Sequence, residues 1–362
     1  MLPAAASEAR TLVARMDRVS TPVATLEQVE VRLEWPAGAP RGALRITARR
    51  AQAPGLGYRF DSLAWDCALL RDGDGGWACD GELREGRKAP LRLALALPRG
   101  GTRAALSDGR GARLGLAHGD AAPDLFAIDL RRVPVAWAQA LAEGAWADLR
   151  LGEGTLDGAL RVHVPEGAPM RIDGELRLAD GSFDTPDGRH AGAGLGARLA
   201  LDWLALDDGP RIDLDGELRG GELLSGSAYV QLPAHAIPVR LRAQAGPGGW
   251  TLPAFSASDA GVLELHGSAA FGGTTLRQLE LSLRSADAAP LPARYLSGWR
   301  GVAGLGGLAL SGGLEVDLAM ADGALTVIDL RPRALDVAAP GGRFRFDGLD
   351  GRARLVAEGS AD

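Results

Sequence analysis

The stretch that decides the fold is LRLALAL, residues 91–97. Leu91, Leu93, Leu95 and Leu97 stand at every second position, with Arg or Ala between them. A period of two places the four leucines on one side of a pleated strand and their neighbours on the other. The same alternation runs through EVRLEW (30–35) with Val29, Val31 and Leu33, and through RIDLDGEL (211–218) with Ile212 and Leu214. It returns in LELSLR (279–284) with Leu279, Leu281 and Leu283, in LEVDLAM (314–320) with Leu314, Val316 and Leu318, and in RFRFD (343–347) with Phe344 and Phe346. Each run predicts a strand with one apolar and one wet face. These apolar positions are the candidate floor of a sheet.

Between and within the runs lie Asp-Gly and Ser-Gly pairs, at 80–81, 157–158, 173–174, 180–181, 215–216, 311–312 and 322–323. Such pairs suit tight hairpin turns, or bulges where they fall inside a strand. An antiparallel meander of an all-β protein is the expected class. The totals agree: 46% hydrophobic residues can bury a large surface, while 51 glycines without a collagen period imply many turns. A net charge of −6 gives no basic surface for nucleic acid. No run of about 18 apolar residues is present to span a bilayer as a helix, and Glu8 and Arg10 interrupt what would be a signal peptide's apolar core.

Three phrases repeat. PGLGYRFDSL starts at Pro54, PDGRHAGAGL at Pro186 and PGGRFRFDGL at Pro340, and each has Tyr58, His190 or Phe344 at its fourth position after the proline. LGEGTLDGALRV (151–162) matches LGGLALSGGLEV (305–316) at the same 154-residue offset that separates Pro186 from Pro340. Helix-like stretches lead each copy: 6–19, with Leu12, Val13, Met16 and Val19 on one side; 133–146, with Pro134 suited to a first turn; and 289–299. The expected organisation is one elongated groove over 1–362, built from repeats at about 1–123, 124–277 and 278–362, the third incomplete.

No catalytic or metal-binding constellation is found. The five histidines show no ligand spacing, and GAGLG (192–196) leads into a strand, not the helix a dinucleotide site requires. No cofactor and no metal are expected. In CALLRDGDGGWAC (67–79), folding about Gly73 sets Cys67 directly opposite Cys79, about 4.5–5.5 Å apart at Cβ. That pair is either a disulfide, marking an oxidising compartment, or two buried thiols in a reducing one.

Helix-led β repeats, Asp-Gly punctuation and the GRFRFDGLDGRARL phrase (342–355) together resemble the bacterial AsmA-like family, which includes TamB-, YhdP- and YdbH-like proteins. The resemblance rests on pattern over nearly the whole chain. It implies a repeating β-groove: a long antiparallel sheet curled into a trough, apolar inside and polar outside. It also implies a periplasmic bridge that passes phospholipids between the inner and outer membranes, with inner- and outer-membrane proteins as partners. Members usually carry an N-terminal membrane helix and are longer, so this chain reads as part of a longer or split bridge. The competing expectation is a structural or adhesive β-repeat of the cell envelope. An enzyme would want paired carboxylates in an aromatic cleft, whereas 3 Tyr, 7 Phe and 8 Trp are dispersed here.

Overall fold

A computed structural model describes residues 9–21, 24–71, 73–226, 228–273, 275–295 and 307–357. The chain divides into two units, 1–147 with 156–163 and 148–155 with 164–362. Both are mostly antiparallel β-sheet.

The first unit is a meander of β1 (Ala9–Ser20), β2 (Thr25–Pro36), β3 (Arg41–Ala53), β4 (Tyr58–Arg71), β5 (Trp77–Glu85), β6 (Leu91–Leu97), β7 (Gly101–Ser107), β8 (Arg113–Gly119) and β9 (Ala122–Pro134). Each strand pairs antiparallel with the next. A 3-10 turn at Val135–Ala138 and helix α1 (Gln139–Ala145) follow β9. After β10 (Arg150–Leu151), which belongs to the second unit, β11 (Thr155–His163) pairs with β9. Tyr58 anchors the helical turn by donating its hydroxyl to the Trp137 carbonyl at 2.6 Å.

In the second unit β10 pairs with β12 (Arg171–Asp184), and β12 with β13 (His190–Leu204). β13 then forks. Its C-terminal half pairs with β14 (Arg211–Arg219), while its N-terminal half pairs with β15 (Glu222–Ser225) of the hairpin that β15 forms with β16 (Ala228–Gln231). β14 pairs directly with β17 (Ile237–Gly246). The meander continues through β18 (Gly249–Asp259), β19 (Leu263–Gly272), β20 (Thr275–Ser285), β21 (Ala309–Ala321) and β22 (Ala324–Ala338). β22 carries both β23 (Arg345–Leu349) and β24 (Ala353–Val356). Helix α2 (Leu291–Arg294) lies between β20 and β21.

Several expectations are corrected. The helix at 6–19 is a strand over its described part: β1 pairs with β2 from Ala9 to Ser20. Pairing along a whole neighbouring strand satisfies a backbone that an isolated short helix holds only marginally. The stretch at 133–146 is helical as expected, except that Pro134 ends β9 instead of opening the helix. Only Leu291–Arg294 of 289–299 is helical, and 296–299 lies outside the described residues. Of the seven Asp-Gly and Ser-Gly pairs named above only Asp322-Gly323 forms a turn; the other six lie inside strands.

Left-handed residues interrupt several long strands: Gln28, Ser62, Arg132, Asp180 and Ala334 have φ between 45° and 57°. Each falls where inward residues are three apart instead of two, namely Leu26/Val29, Phe60/Leu63, Leu130/Val133, Leu178/Gly181 and Pro332/Leu335. One extra residue in a strand is a β-bulge, and it returns the next side chain to the same face while bending the strand. At two of them a carboxylate secures the backbone. Asp157 accepts the Arg132 amide and Asp350 the Ala334 amide, both at 2.9 Å. Asp180 and Ala334 stand 154 residues apart, as do the first residues of β11 and β21. Pro54, Pro186 and Pro340 each lie in the connection between two paired strands.

Candidate functional site

Cross-strand register shows how the alternation of single strands adds up. In the first unit one row runs Leu12, Leu33, Leu44, Cys67, Gly81, Leu93, Leu106, Leu114 and Leu130, each directly opposite the next across nine strands. A second row runs Ala14, Val31, Ile46, Trp65, Leu83 and Leu91, and a third takes in Leu69, Cys79, Leu95, Ala104, Leu116 and Ile128. Between the rows, on the other face, stand Arg32, Arg45, Asp66, Glu82 and Arg92 in line. There Arg92 grips Asp80 with two hydrogen bonds at 2.7 and 2.8 Å, which holds the Asp80 carboxyl below its ordinary value. Exposed pairs of this kind add little stability, about 0–1 kcal/mol each. Their effect is to keep that face wet.

The second unit repeats the plan. One row runs Leu176, Leu199, Gly216, Val239, Ala257, Leu265, Leu283, Val316 and Leu330. The next runs Gly174, Leu201, Leu214, Leu241, Phe255, Gly267, Leu281, Leu318 and Ile328. Asp213 with Arg242 and Asp215 with Arg240, each at 2.6 Å, lie on the opposite face. Nine strands at about 4.8 Å spacing make each floor about 40 Å across.

Neither floor is sealed. Most row residues are half-buried, and among the described residues no second sheet packs over them. The face of the second unit is concave enough to hold a hollow of about 470 Å³, walled by Leu199, Leu214, Val239, Leu241, Phe255 and Leu279 among others. The Phe255 ring edges over Gly267 on the neighbouring strand so closely that a Cβ there would collide with it. In the first unit Trp35 lies over Gly42 in the same way and meets Trp77 edge-on at 5.7 Å. These two rings come from β2 and β5, which flat geometry would hold about 14 Å apart. The floor is therefore concave there too, and two indoles bridge it at one margin, with Arg71 stacked 5.5 Å over Trp77.

The predicted residues fall as follows. Val29, Val31, Leu33, Leu91, Leu93 and Leu95 share the apolar face of the first unit, with Leu97 exposed at its end opposite Trp77. Ile212, Leu214, Leu279, Leu281, Leu283, Val316 and Leu318 share that of the second. Leu314 packs beneath α2. Phe344, just before β23, and Phe346, within it, are exposed with their rings 5.6 Å apart.

The cysteines are joined by a disulfide, but their register is not the expected one. Cys67 faces Gly81 and Cys79 faces Leu69, because Arg71 pairs with Trp77 and the hairpin is centred on Asp74 instead of Gly73. The bond is diagonal, with Cα atoms 5.5 Å apart. Gly81 makes this fit, since a Cβ there would collide with Cys67. The bridge is buried in the floor with Trp65, under Leu44, Ile46 and Leu93.

One buried group does not belong to an apolar floor. Asp259, 1% exposed, ends β18 on the inward side. It accepts His235 Nε2 at 2.7 Å, Arg294 Nη1 at 2.7 Å and the Tyr295 hydroxyl at 2.8 Å. Burial pushes its carboxyl up, yet the bonds from Tyr295, His235 and Arg294 outweigh this and hold it below its ordinary value. Tyr295 is pushed well above the ordinary tyrosine value, by burial first and then by the bond to Asp259. No sequence motif announced this cluster; its signal was an acidic residue two places beyond Phe255 and Ala257 in the inward alternation. No group of residues that could hold a metal ion occurs among the described residues.

Comparison with known proteins gives no match: no family model, no curated protein and no solved structure is significantly similar to this chain.

Proposed function

We propose that each unit offers its apolar face to hydrocarbon, and that the chain is a section of a repeating β-groove that conducts phospholipids between the inner and outer membranes. The observation that carries this reading is the pair of nine-strand apolar rows, continuous within each unit and, among the described residues, without a second sheet over them. An apolar sheet face must pack under a second layer, close on itself or meet an apolar partner. Sheltering acyl chains on it gains about 0.8 kcal/mol per buried CH₂. Polar headgroups can remain at the open side, so no headgroup pocket, cofactor, metal or catalytic group enters the reading.

The resemblance to AsmA-like proteins supports the periplasm as the location and membrane proteins at the two ends as partners. The disulfide agrees with an oxidising compartment. Lipid extraction and mass spectrometry of protein purified from an envelope fraction test the idea directly, together with photocrosslinking from position 95. Phospholipid crosslinked at that position is the expected result. If no lipid is labelled in cells, the conduit reading fails and a structural role in the envelope replaces it.

A further inference from the structure

We propose that α2 is a strap across one end of the second unit's apolar face, that Asp259 is its catch, and that release widens the surface open to hydrocarbon. This rests on the lipid reading above and adds a control element to it. Leu291 of α2, 2% exposed, and Ala288 before it, fully buried, pack on Leu263 and Leu335 and against Leu265, Leu283 and Leu314. Leu265 and Leu283 belong to the long apolar row of that unit. The strap therefore covers part of the same floor that elsewhere lies open, while the neighbouring row through Phe255, Leu281 and Leu318 runs free of the cluster beneath it.

A helix of four residues has no stability of its own. Its position depends on what holds its ends. Before it, the Ala288 amide donates to the Gly312 carbonyl at 2.8 Å. At its C-terminal end, Arg294 and the following Tyr295 both donate to the same oxygen of Asp259. His235 takes the other oxygen and comes from the loop before β17, so it orients the carboxylate without belonging to the strap. A carboxylate on an apolar face is tolerable only with such donors. The strap and the buried charge thus need each other, and removing a donor weakens the docked state specifically.

The test uses the full chain, with cis-parinaric acid as a fluorescent fatty-acid probe and amide hydrogen exchange at Ala288 and Tyr295. Tyr295→Phe keeps the ring but removes one hydrogen bond to a charged group, which predicts exchange about tenfold or more faster. Arg294→Met removes a second donor and should act in the same direction. Both variants should bind more probe per chain than the wild type. Faster exchange with unchanged probe binding would reduce the strap to a structural fastening and overturn the proposal. Unchanged exchange would show that Asp259 is not the catch. If neither the wild type nor the variants bind probe, the lipid reading itself is lost; binding by the wild type without a gain in the variants sinks only the strap.

Discussion

Replacing Leu241 by Arg tests whether the floor is an open surface or a hidden core. Leu241 stands between Leu214 and Phe255 in the second unit and lines its hollow. Complete burial of a leucine is worth about 1.5–3 kcal/mol, and Leu241 is only half-buried. Losing its apolar contacts should cost about 1–1.5 kcal/mol, because an arginine stem can lie along the floor with its head in water. A charge sealed in a packed core would instead cost about 3–5 kcal/mol. Urea unfolding followed by the fluorescence of Trp203 and Trp250, both in this unit, separates the two values. At a slope of about 2–3 kcal/mol per molar the midpoint falls by roughly half a molar. Bound lipid should fall far more than stability does. A loss above about 3 kcal/mol would mean that the hollow is filled and the rows are core, and the groove argument would be wrong.

Other substitutions probe separate features. Changing Cys67 and Cys79 together to Ala opens a 13-residue loop (67 to 79 inclusive), which predicts a loss of about 3 kcal/mol in the first unit; equal unfolding midpoints for oxidised wild type and the double variant would dismiss the bridge as a stabiliser. Gly267→Val drives a side chain into the Phe255 ring and the Glu280 carbonyl, at about 1–3 kcal/mol, and should lower lipid capacity; lipid analysis beside an unfolding curve reads both. The depressed Asp259 carboxyl contributes stability above its unfolded value of about 3.9, and that contribution disappears as pH falls through the lower folded value. The wild type's Tm advantage over Asp259→Asn should therefore shrink below about pH 4, and an advantage constant down to pH 2 contradicts the assignment. Glu30→Arg on the wet face of β2 breaks only an exposed pair with Arg15 and should shift stability by no more than about 1 kcal/mol, with lipid binding intact.

The alternation in LRLALAL and its relatives made the strands and their faces legible, because a two-residue period has one structural meaning when it is this regular. It failed where a partner strand decides. Leu12, Val13, Met16 and Val19 have helical spacing, yet in β1 Leu12 and Met16 face Leu33 and Val29, and Val13 is left half-exposed beside Arg32. The cysteine hairpin was legible as a hairpin but not in register, because a turn centred on Gly73 and one centred on Asp74 look alike in a Gly- and Asp-rich run. Gly81 read as a turn or bulge signal and Gly267 drew no reading, whereas their missing side chains make room for Cys67 and Phe255 on the next strand. The Asp259 cluster was invisible because three of its members come from segments 24 to 36 residues from the carboxylate or its neighbours.

The fork at β13 bears on how this chain can change its length. Since β14 pairs with β17 along its whole edge, hydrogen bonding in the main sheet does not pass through the β15–β16 hairpin at all. β15 and β16 are a side branch: they could be shortened, lengthened or exchanged for a foreign segment, and every register from β17 to β22 would stay as it is. Any segment added there would leave from the part of β13 beyond the Asp180 bulge. For the same reason a fluorescent or affinity tag carried at Gly226 would report on the intact molecule without entering its ladder, a freedom that no paired residue of β17–β22 offers.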